Sequence, residues 1–307
     1  MGEGIVRRRL RACLVLLASR MVRPAHLLPR NEPTISGRHE GLPLRRYRRE
    51  SFQPFLMSLH VLPLRTAGAA ENMANDFLLL QRYPEQSASR FRHYEWRAPA
   101  FTFGYSQKIA YVRANLPSKA STQEGLPHLF NPELCRRATG GGIVDHRNDW
   151  TYALVLPRGL ALYDARATQA YHDVHVCLVE ALVALGQPVV LKASCDPVEG
   201  CEGEPLSAMP TICFVRAELY DVLNSVTGEK IAGAAMKRNK HGLLFQGSIE
   251  KSRLGPIDWE EFQVKFTTGL GRLLGSEAEE VPWPELNEDE VSGLTEQYSA
   301  PEWNEAR

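Results

Sequence analysis

Apolar residues recur at helical spacing in several parts of the chain. Between Ala165 and Leu185 they return at intervals of three, four and seven residues, and Gly186 followed by Pro188 supplies a stop signal. The same one-sided pattern marks residues 72–83, 257–274 and 289–297. We predict a helix in each of these segments, with its apolar face packed on a sheet.

Shorter apolar or alternating runs predict strands. Residues 151–156 alternate with period two until Pro157 and Gly159 interrupt them, and aromatic and Thr residues alternate over residues 100–106. Further short runs cover residues 189–191, 213–223, 230–236 and 243–247. Because these strands come in adjacent groups and do not alternate strictly with helices, we expect an α+β fold with a mixed, largely antiparallel sheet flanked by helices.

The chain divides into two parts by charge. Lys plus Arg and Asp plus Glu number 36 each, so the overall charge favours neither nucleic acid nor a membrane surface. Residues 1–56 nevertheless contain twelve Arg and four Glu, a net charge of +8, and residues 57–307 therefore carry −8. We interpret residues 1–56 as an arginine-rich, poorly ordered extension or as upstream sequence translated from an early start. Residues 57–307 form the folded domain in this interpretation.

Cysteine usage and the longest apolar runs exclude several classes of protein. Six cysteines are too few for a disulfide scaffold, and no apolar run approaches the roughly 18 residues that a membrane span needs. The short apolar run of residues 12–18 is interrupted by Arg20, which argues against a cleaved secretion signal. The spacing of His172, His175 and Cys177 suits a metal site, but His172 lies off the apolar face of its helix, and we predict no metal.

The first candidate site is a glycine-rich run preceded by two arginines. Arg136 and Arg137 stand before Gly140, Gly141 and Gly142 in the sequence RRATGGG. Consecutive glycines let the backbone approach a ligand closely and present successive N–H groups to a phosphate or carboxylate, which the arginines would also bind. The run is neither a Walker loop nor a dinucleotide-binding fingerprint. A flexible surface turn with solvated arginines is the alternative.

The second candidate site is Lys230, at the start of a strand of small residues. Gly233 and Ala234 leave room for a ligand against the backbone, although a lone lysine in this position is more often a solvated turn residue. Cys213 lies in the preceding apolar run, where a cysteine is usually an inert core residue. If the fold brings Lys230 near this cysteine, the ammonium would lower the pKa of the Cys213 thiol and make it a nucleophile.

A histidine follows the glycine run. His146 stands between Asp145 and Asp149, and a lone histidine of this kind is more often a structural hydrogen-bonding group than a ligand contact.

In their order along the chain, these motifs resemble those of the biotin/lipoate protein ligase superfamily, in its lipoate–protein ligase and octanoyltransferase branch. The run at 136–142 with His146 is similar to the family's Arg-Arg-x-x-Gly-Gly signature, and residues 230–238 (KIAGAAMKR) look like the segment that holds its essential lysine. Weaker similarities cover residues 73–76, 94–107 and 246–249. The chain departs from the pattern at Ala234, where the family has Ser or Asn, and at Gln246, where His is common.

The resemblance implies a catalytic domain over residues 57–307, with a sheet related to the core of class II aminoacyl-tRNA synthetases. It also implies an enzyme that joins an octanoyl or lipoyl group to one lysine of lipoyl-domain proteins, namely the E2 component of 2-oxoacid dehydrogenases or the glycine cleavage H protein. Lys230 and Cys213 would then be the catalytic residues. The implied substrate contacts are Arg136, Arg137, Gly140, Gly141, Gly142, His146, Gly233 and Ala234.

Two routes to the acylated lysine fit these residues. In the favoured route, Cys213 attacks an octanoyl thioester on acyl carrier protein, and the acyl-enzyme is then aminolysed. In the alternative route, an ATP-dependent ligase activates the free acid as an acyl-adenylate, with ATP and Mg²⁺ as substrates. Cys213, about seventeen residues before Lys230, resembles the cysteine of the octanoyltransferases and favours the first route.

Two further alternatives stay open from the sequence. One is a non-catalytic homologue that binds a lipoyl or adenylate group. The other is a biotin ligase, which is less favoured because the chain has no Gly-Arg-Gly-Arg run. In every case we expect no tightly bound cofactor, no nucleic-acid or membrane partner, and a cytoplasmic location.

Overall fold

The computed structural model describes residues 58–116, 132–194 and 217–306. All of them belong to one compact unit, Pro54–Arg307. Three predictions therefore lie outside the described residues: the arginine-rich extension at 1–56, the role of Cys213, and the first part of the strand predicted from that cysteine.

Eleven strands are present in the described residues. They are β1 (Ser58–Ala67), β2 (Ser89–Trp96), β3 (Ala100–Phe103), β4 (Glu133–Arg136), β5 (Ile143–Asp145), β6 (Asp149–Pro157), β7 (Val189–Leu191), β8 (Val222–Asn224), β9 (Lys230–Asn239), β10 (Gly242–Glu250) and β11 (Glu277–Glu280). Eight form one sheet in the order β11-β1-β2-β6-β10-β9-β8-β7, and three form a small sheet in the order β4-β3-β5. In the large sheet β1 pairs in parallel with β2 and β11, and the other pairs are antiparallel.

Helices cover both faces of the large sheet, and one packs on the small sheet. They are α1 (Ala69–Gln81), α2 (Ile109–Asn115), α3 (Ala161–Asp164), α4 (Ala167–Ala184), α5 (Trp259–Leu274), α6 (Glu288–Ser299) and α7 (Pro301–Asn304). The apolar stripes of α4 and α5 pack on one face, and those of α1 and α6 pack on the other. Helix α5 begins where the Asp258 carboxylate accepts from two backbone N–H groups and ends at Gly275, whose φ of 64° is left-handed.

The predicted fold class is confirmed, since the domain is α+β with a mixed, largely antiparallel sheet. The helices predicted at 72–83, 165–185, 257–274 and 289–297 correspond to α1, α4, α5 and α6. The strand predicted over residues 213–223 is wrong in its described part. Residues 219–220 form a turn in which Tyr220 has a φ of 68°, a left-handed conformation that no strand contains, and the strand begins only at Val222.

The core beneath α5 is built from aromatic rings. Trp150 and Tyr152 of β6 meet Phe262 and Phe266 of α5 edge to face, with ring centroids 4.9 Å apart for Trp150–Phe262 and 5.3 Å apart for Tyr152–Phe266. The Tyr152 ring also lies over Gly247 of β10, where an added Cβ would approach it to 2.2 Å. Glycine at that position therefore lets the ring pack flat on the sheet. None of the helices in the described ranges combines the length and apolarity needed to cross a membrane.

Candidate active site

Two cavities meet along the first half of β9. The smaller, of about 480 Å³, opens toward β3, β6 and β10, and the larger, of about 820 Å³, opens toward α4 and the glycine run. Lys230, Ala234 and Ala235 line both. A group bound at Lys230 could therefore be reached from either cavity.

An irregularity in the sheet directs Lys230 toward the cavities. The pairing of β8 with β9 shifts register by one residue at the start of β9, so that β9 contains an extra residue there. Ile231 and Ala232 are both buried in the core beside α4, and the Lys230 side chain lies against Gly233 on the opposite face. In a regular strand Lys230 and Ala232 would share a face, so this bulge places the ammonium in the site.

A buried carboxylate holds the Lys230 ammonium. Lys230 Nζ lies 2.7 Å from Asp221 Oδ2, and the two side chains are 7% and 0% exposed. The Tyr171 hydroxyl donates to the other oxygen of Asp221 and accepts from the Ala234 N–H at 3.0 Å. Burial, with the Asp221 charge adding to it, raises the pKa of Tyr171 well above its ordinary value, so the hydroxyl stays protonated as a donor.

The small residues of β9 were predicted to leave room for a ligand, and the structure adds a steric reason for one of them. A Cβ on Gly233 would lie 2.7 Å from both Cε and Nζ of Lys230 and 3.0 Å from Asp221 Oδ1. Glycine is thus needed for the lysine side chain to fold back over its own strand. Ala234 lines both cavities, and its backbone N–H is already bound by Tyr171.

Arg137 holds the glycine run in place through hydrogen bonds. This buried guanidinium donates to Thr102 Oγ1 at 2.7 Å and to the carbonyl oxygens of Gly140 and Gly142 at 2.9 and 3.0 Å. Gly141 between them has a φ of 86°, which favours glycine. Arg137 therefore fixes the shape of the loop, and it also lines the smaller cavity.

His146 belongs to a hydrogen-bonded chain on the floor of the smaller cavity. Its Nε2 lies 2.7 Å from Thr102 Oγ1, and its Nδ1 lies 2.8 Å from Asp149 Oδ2. Since Thr102 accepts from Arg137, its single hydroxyl proton is available for His146 Nε2. The contacts then fit an imidazole that is protonated at Nδ1 and donates to Asp149.

Asp149 keeps its charge despite being fully buried. Burial by itself raises the pKa of this carboxyl group, but His146 and hydrogen bonds from Ser248 and Thr151, at 2.5 and 2.7 Å, outweigh that effect and hold the pKa below the ordinary value. The sequence marked Asp149 only as a neighbour of His146. In the structure, Asp149 Oδ2 is the common hydrogen-bond partner of His146, Thr151 and Ser248 on the floor of the smaller cavity.

Gln246 ties the glycine run to α1. Its Oε1 accepts from Thr139 Oγ1 at 2.7 Å, and its Nε2 donates to Asp76 Oδ2 at 2.6 Å. Asp76 is in turn paired with the buried Arg92 at 2.7 Å. The sequence identified Gln246 only as a departure from the family pattern, whereas here it joins two elements that surround the cavity.

Arg136 lies apart from both cavities. Its guanidinium donates to four backbone carbonyls, those of Tyr105, Gln107, Trp303 and Asn304, at 2.7 to 3.0 Å. Its own carbonyl accepts from Trp303 Nε1 at 2.8 Å. The predicted substrate contact at Arg136 is thus replaced by a structural one, because four of the five N–H groups of this side chain donate to backbone carbonyls and tether β4 to α7.

Several residues of this arrangement had no signal of their own in the sequence, among them Tyr171, Asp221 and Thr102. They come from α4, from the turn before β8 and from β3, so only the fold brings them together. In the described ranges, no group of three or more His, Cys, Asp and Glu side chains is arranged to hold a metal ion.

A lysine on a small-residue strand beside an arginine-held glycine run, on this mixed sheet, defines an acyl-transferring domain of the lipoate–protein ligase class. Residues 68–251 match the lipoyl protein ligase A/B catalytic domain, and the chain belongs to that family. The resemblance inferred from the motifs is thereby confirmed.

Two relatives matched by sequence are both named octanoyltransferase LipM. The chain is 32% identical over 197 residues to octanoyltransferase LipM of Oceanobacillus iheyensis, a match that covers 64% of each chain. It is 26% identical over 275 residues to octanoyltransferase LipM of Symbiobacterium thermophilum, covering 76% of this chain and 93% of the relative. The match spans less than two thirds of the Oceanobacillus protein.

Solved structures support the same fold. A bi-partite lipoate protein ligase from Thermoplasma acidophilum, described with its E2 lipoyl domain, superposes with a TM-score of 0.55 at 17% identity over 81% of this chain and 96% of that one. A lipoate-protein ligase A bound with ATP gives a TM-score of 0.55 at 18% identity over 81% and 98%. At such identities the likeness establishes the fold alone.

Proposed function

We propose that this protein transfers an octanoyl group from a thioester donor to a specific lysine of a lipoyl-domain protein, through an acyl-enzyme on Cys213. The observation that carries the proposal is the Lys230–Asp221 pair, which holds an ammonium at the junction of two cavities. Relatives named octanoyltransferase favour this route over the ATP-dependent one.

The first half of the reaction forms the acyl-enzyme. The Cys213 thiolate attacks the thioester carbonyl, the carbonyl oxygen becomes an oxyanion, and collapse expels the donor thiolate. The Lys230 ammonium donates a hydrogen bond to that oxyanion, and because Asp221 fixes its position, no reorganisation is needed as the charge develops.

The second half transfers the acyl group. The neutral amine of the acceptor lysine attacks the acyl-enzyme carbonyl, an amide bond forms, the Cys213 thiolate leaves, and the proton lost by the amine goes to that thiolate or to solvent. The acyl chain occupies the smaller cavity, where Met73, Tyr94 and Val144 supply apolar surface.

The partners follow from the same route. We expect acyl carrier protein as the donor, and the E2 component of 2-oxoacid dehydrogenases or the glycine cleavage H protein as the acceptor. No tightly bound cofactor is required, and ATP with Mg²⁺ would enter only as substrates of a ligase. The expectation of a cytoplasmic location is part of this proposal.

The test is intact-protein mass spectrometry of the full chain mixed with octanoyl-acyl carrier protein in the absence of ATP. We expect a mass gain of one octanoyl group on the wild type and none on Cys213→Ser. The buried Cys177 provides a matched control: burial raises the pKa of its thiol to about 11, so Cys177→Ser should be acylated like the wild type.

Other outcomes would replace this reading. If no adduct forms but octanoate, ATP and Mg²⁺ modify a lipoyl domain, the protein is the ligase. If neither reaction occurs while the protein still binds octanoate, it is a non-catalytic binding homologue. An adduct that persists in Cys213→Ser would move the nucleophile to another residue.

A further inference from the structure

The carboxylate of Asp221 is held on both of its oxygens. Oδ2 lies 2.7 Å from Lys230 Nζ and accepts from the Glu218 N–H at 2.6 Å, and Oδ1 accepts from the Tyr171 hydroxyl. A carboxylate turns easily about its Cβ–Cγ bond, because that torsion has only broad minima. The groups on its two oxygens therefore decide where the ammonium bound to it lies.

The Tyr171 hydroxyl also takes the place of a strand partner for β9. Strand β8 begins only at Val222, so beyond the first three residues of β9 no strand of the described residues pairs with that edge. The Ala234 N–H points there and donates to the Tyr171 hydroxyl at 3.0 Å. Since a hydroxyl group can donate and accept at once, Tyr171 joins the Asp221 carboxylate to the strand that carries Lys230.

Packing fixes the ring that carries this hydroxyl. The Tyr171 ring lies against His175, one turn further along α4, and against Phe245 of β10, with ring centroids 4.1 and 5.8 Å apart. The Lys230 side chain, by contrast, is a flexible four-carbon stem that ends in a point charge. A rigid aromatic group is thus linked to a flexible cation through one carboxylate, that of Asp221.

We propose that Tyr171 is a positioning residue, whose hydroxyl fixes the Asp221 carboxylate and thereby holds the Lys230 ammonium at one point of the site. This inference rests on the proposed function, in which that ammonium stabilises the oxyanion. A preorganised donor of this kind contributes when the oxyanion forms and not when the substrate binds. Loss of the Tyr171 hydroxyl should therefore slow acylation and leave donor binding unchanged.

The test is single-turnover acylation of the full chain by octanoyl-acyl carrier protein without ATP, followed by intact-protein mass spectrometry. In Tyr171→Phe the rate at saturating donor should fall about tenfold, as for the loss of a hydrogen bond to a charged group. The donor concentration that gives half the maximal rate should stay within about twofold, because phenylalanine keeps the ring that lines the larger cavity. An unchanged rate would contradict the proposal.

A double-mutant cycle separates positioning from a direct contact with the substrate. In Lys230→Met the group that Tyr171 positions is missing, so adding Tyr171→Phe should change the acylation rate by less than about twofold. If the added substitution slows both backgrounds equally, Tyr171 acts independently of Lys230 and is not its positioning residue.

Tyr163→Phe is the matched control. The Tyr163 hydroxyl donates to the Asn239 carbonyl at 3.0 Å, at the other end of β9, and this residue lines neither of the two cavities. The control variant should be acylated like the wild type. A slowing as large as that of Tyr171→Phe would assign the effect to general loosening of β9 and overturn the proposal.

A second measurement needs no acyl donor. Acetic anhydride modifies lysine amines, and peptide mass spectrometry reports the rate at Lys230. An ammonium bound by a fixed carboxylate must leave it before it can react, so Lys230 should be acetylated at least about threefold faster in Tyr171→Phe and at the wild-type rate in Tyr163→Phe. Equal rates in Tyr171→Phe and the wild type would refute the positioning role, whereas a wild type that octanoyl-acyl carrier protein does not acylate would refute the proposed function.

Discussion

Two buried aspartates organise the walls of the two cavities in different ways. Asp221 binds the Lys230 ammonium, and Asp149 binds the imidazole of His146 together with two hydroxyl groups. The first cluster presents an ammonium to the cavities, whereas the second is an imidazole and two hydroxyl groups gathered around a carboxylate. The two aspartates therefore depend on their partners to different degrees. Asp221 without Lys230 would be a buried anion with no counter-ion in the described residues. Asp149 without His146 would still accept hydrogen bonds from Thr151 and Ser248.

The largest expected effect comes from removing the cation. In Lys230→Met, octanoyl transfer should fall about 10²–10³-fold, as for other losses of a preorganised oxyanion donor. The free energy of unfolding should fall by about 3–5 kcal/mol, because the Asp221 carboxylate is left buried without its partner. Enzyme assays and urea unfolding measure the two effects.

A double variant separates charge burial from catalysis. Lys230→Met/Asp221→Asn removes both charges, so most of the lost stability should return while transfer stays low. A double variant as unstable as Lys230→Met would show that the pair is not what supports this wall of the cavity.

The Asp221 cluster should also respond to mildly acidic pH. His175 packs against Tyr171 with ring centroids 4.1 Å apart, and burial lowers its pKa from 6.5 to about 4, although a hydrogen bond to the Tyr220 carbonyl opposes the shift. The unfolded chain therefore takes up a proton below pH 6.5 while the folded protein does not until about pH 4. Stability is fully present above pH 6.5, and about 3 kcal/mol of it should be lost by pH 4.

The variant His175→Gln tests this dependence by the difference in slope. Urea unfolding of wild type and variant at pH values from 7 to 4 should show a steeper loss for the wild type. His93, whose pKa is also lowered by burial, is present in both proteins and cancels in the difference. Parallel curves would mean that His175 is not held neutral by the fold.

A smaller effect is expected from crowding the lysine. In Gly233→Ala, the new Cβ lies 2.7 Å from Lys230 Nζ and must displace it from Asp221, so kcat should fall more than KM changes, and overpacking should cost about 1–3 kcal/mol of unfolding free energy. Gly293→Ala in α6 is the control, since nothing lies within 4 Å of the added Cβ. If both substitutions are tolerated equally, the lysine does not need the space over Gly233.

Adjacent arginines show where prediction from sequence stops. Arg136 and Arg137 have the same chemistry and neighbouring positions, yet the first tethers α7 and the second shapes the glycine run. Side chains that follow one another along a strand point in opposite directions, so only one of the two can face the cavity. The choice depends on Trp303, which lies 167 residues further along the chain, and no local pattern contains that information.

Elements with one apolar face were predictable, and elements stabilised by buried polar pairs were not. Helices α4 and α5 begin and end within about two residues of their apolar patterns. Within strand β2 only residues 94–96 drew attention, through the similarity over residues 94–107, because Arg90 and Arg92 interrupt its apolar pattern although both are buried. Lys230 and the glycines could be identified from the sequence, but their partners Asp221 and Thr102 depend on how the sheet assembles.

The smallest expected effect tests the Asp149 side of the cavity. In His146→Ala, Asp149 keeps its hydrogen bonds from Ser248 and Thr151, so the unfolding free energy should fall by only about 1–2 kcal/mol, less than for Lys230→Met. Octanoyl transfer should fall about tenfold, because Thr102 loses one of the two groups that fix it beneath Arg137 and the glycine run is less firmly positioned. Parallel urea unfolding and transfer assays measure both changes. A loss of stability as large as that of Lys230→Met would mean that His146 is the cation on which Asp149 depends, and the two clusters would then work in the same way.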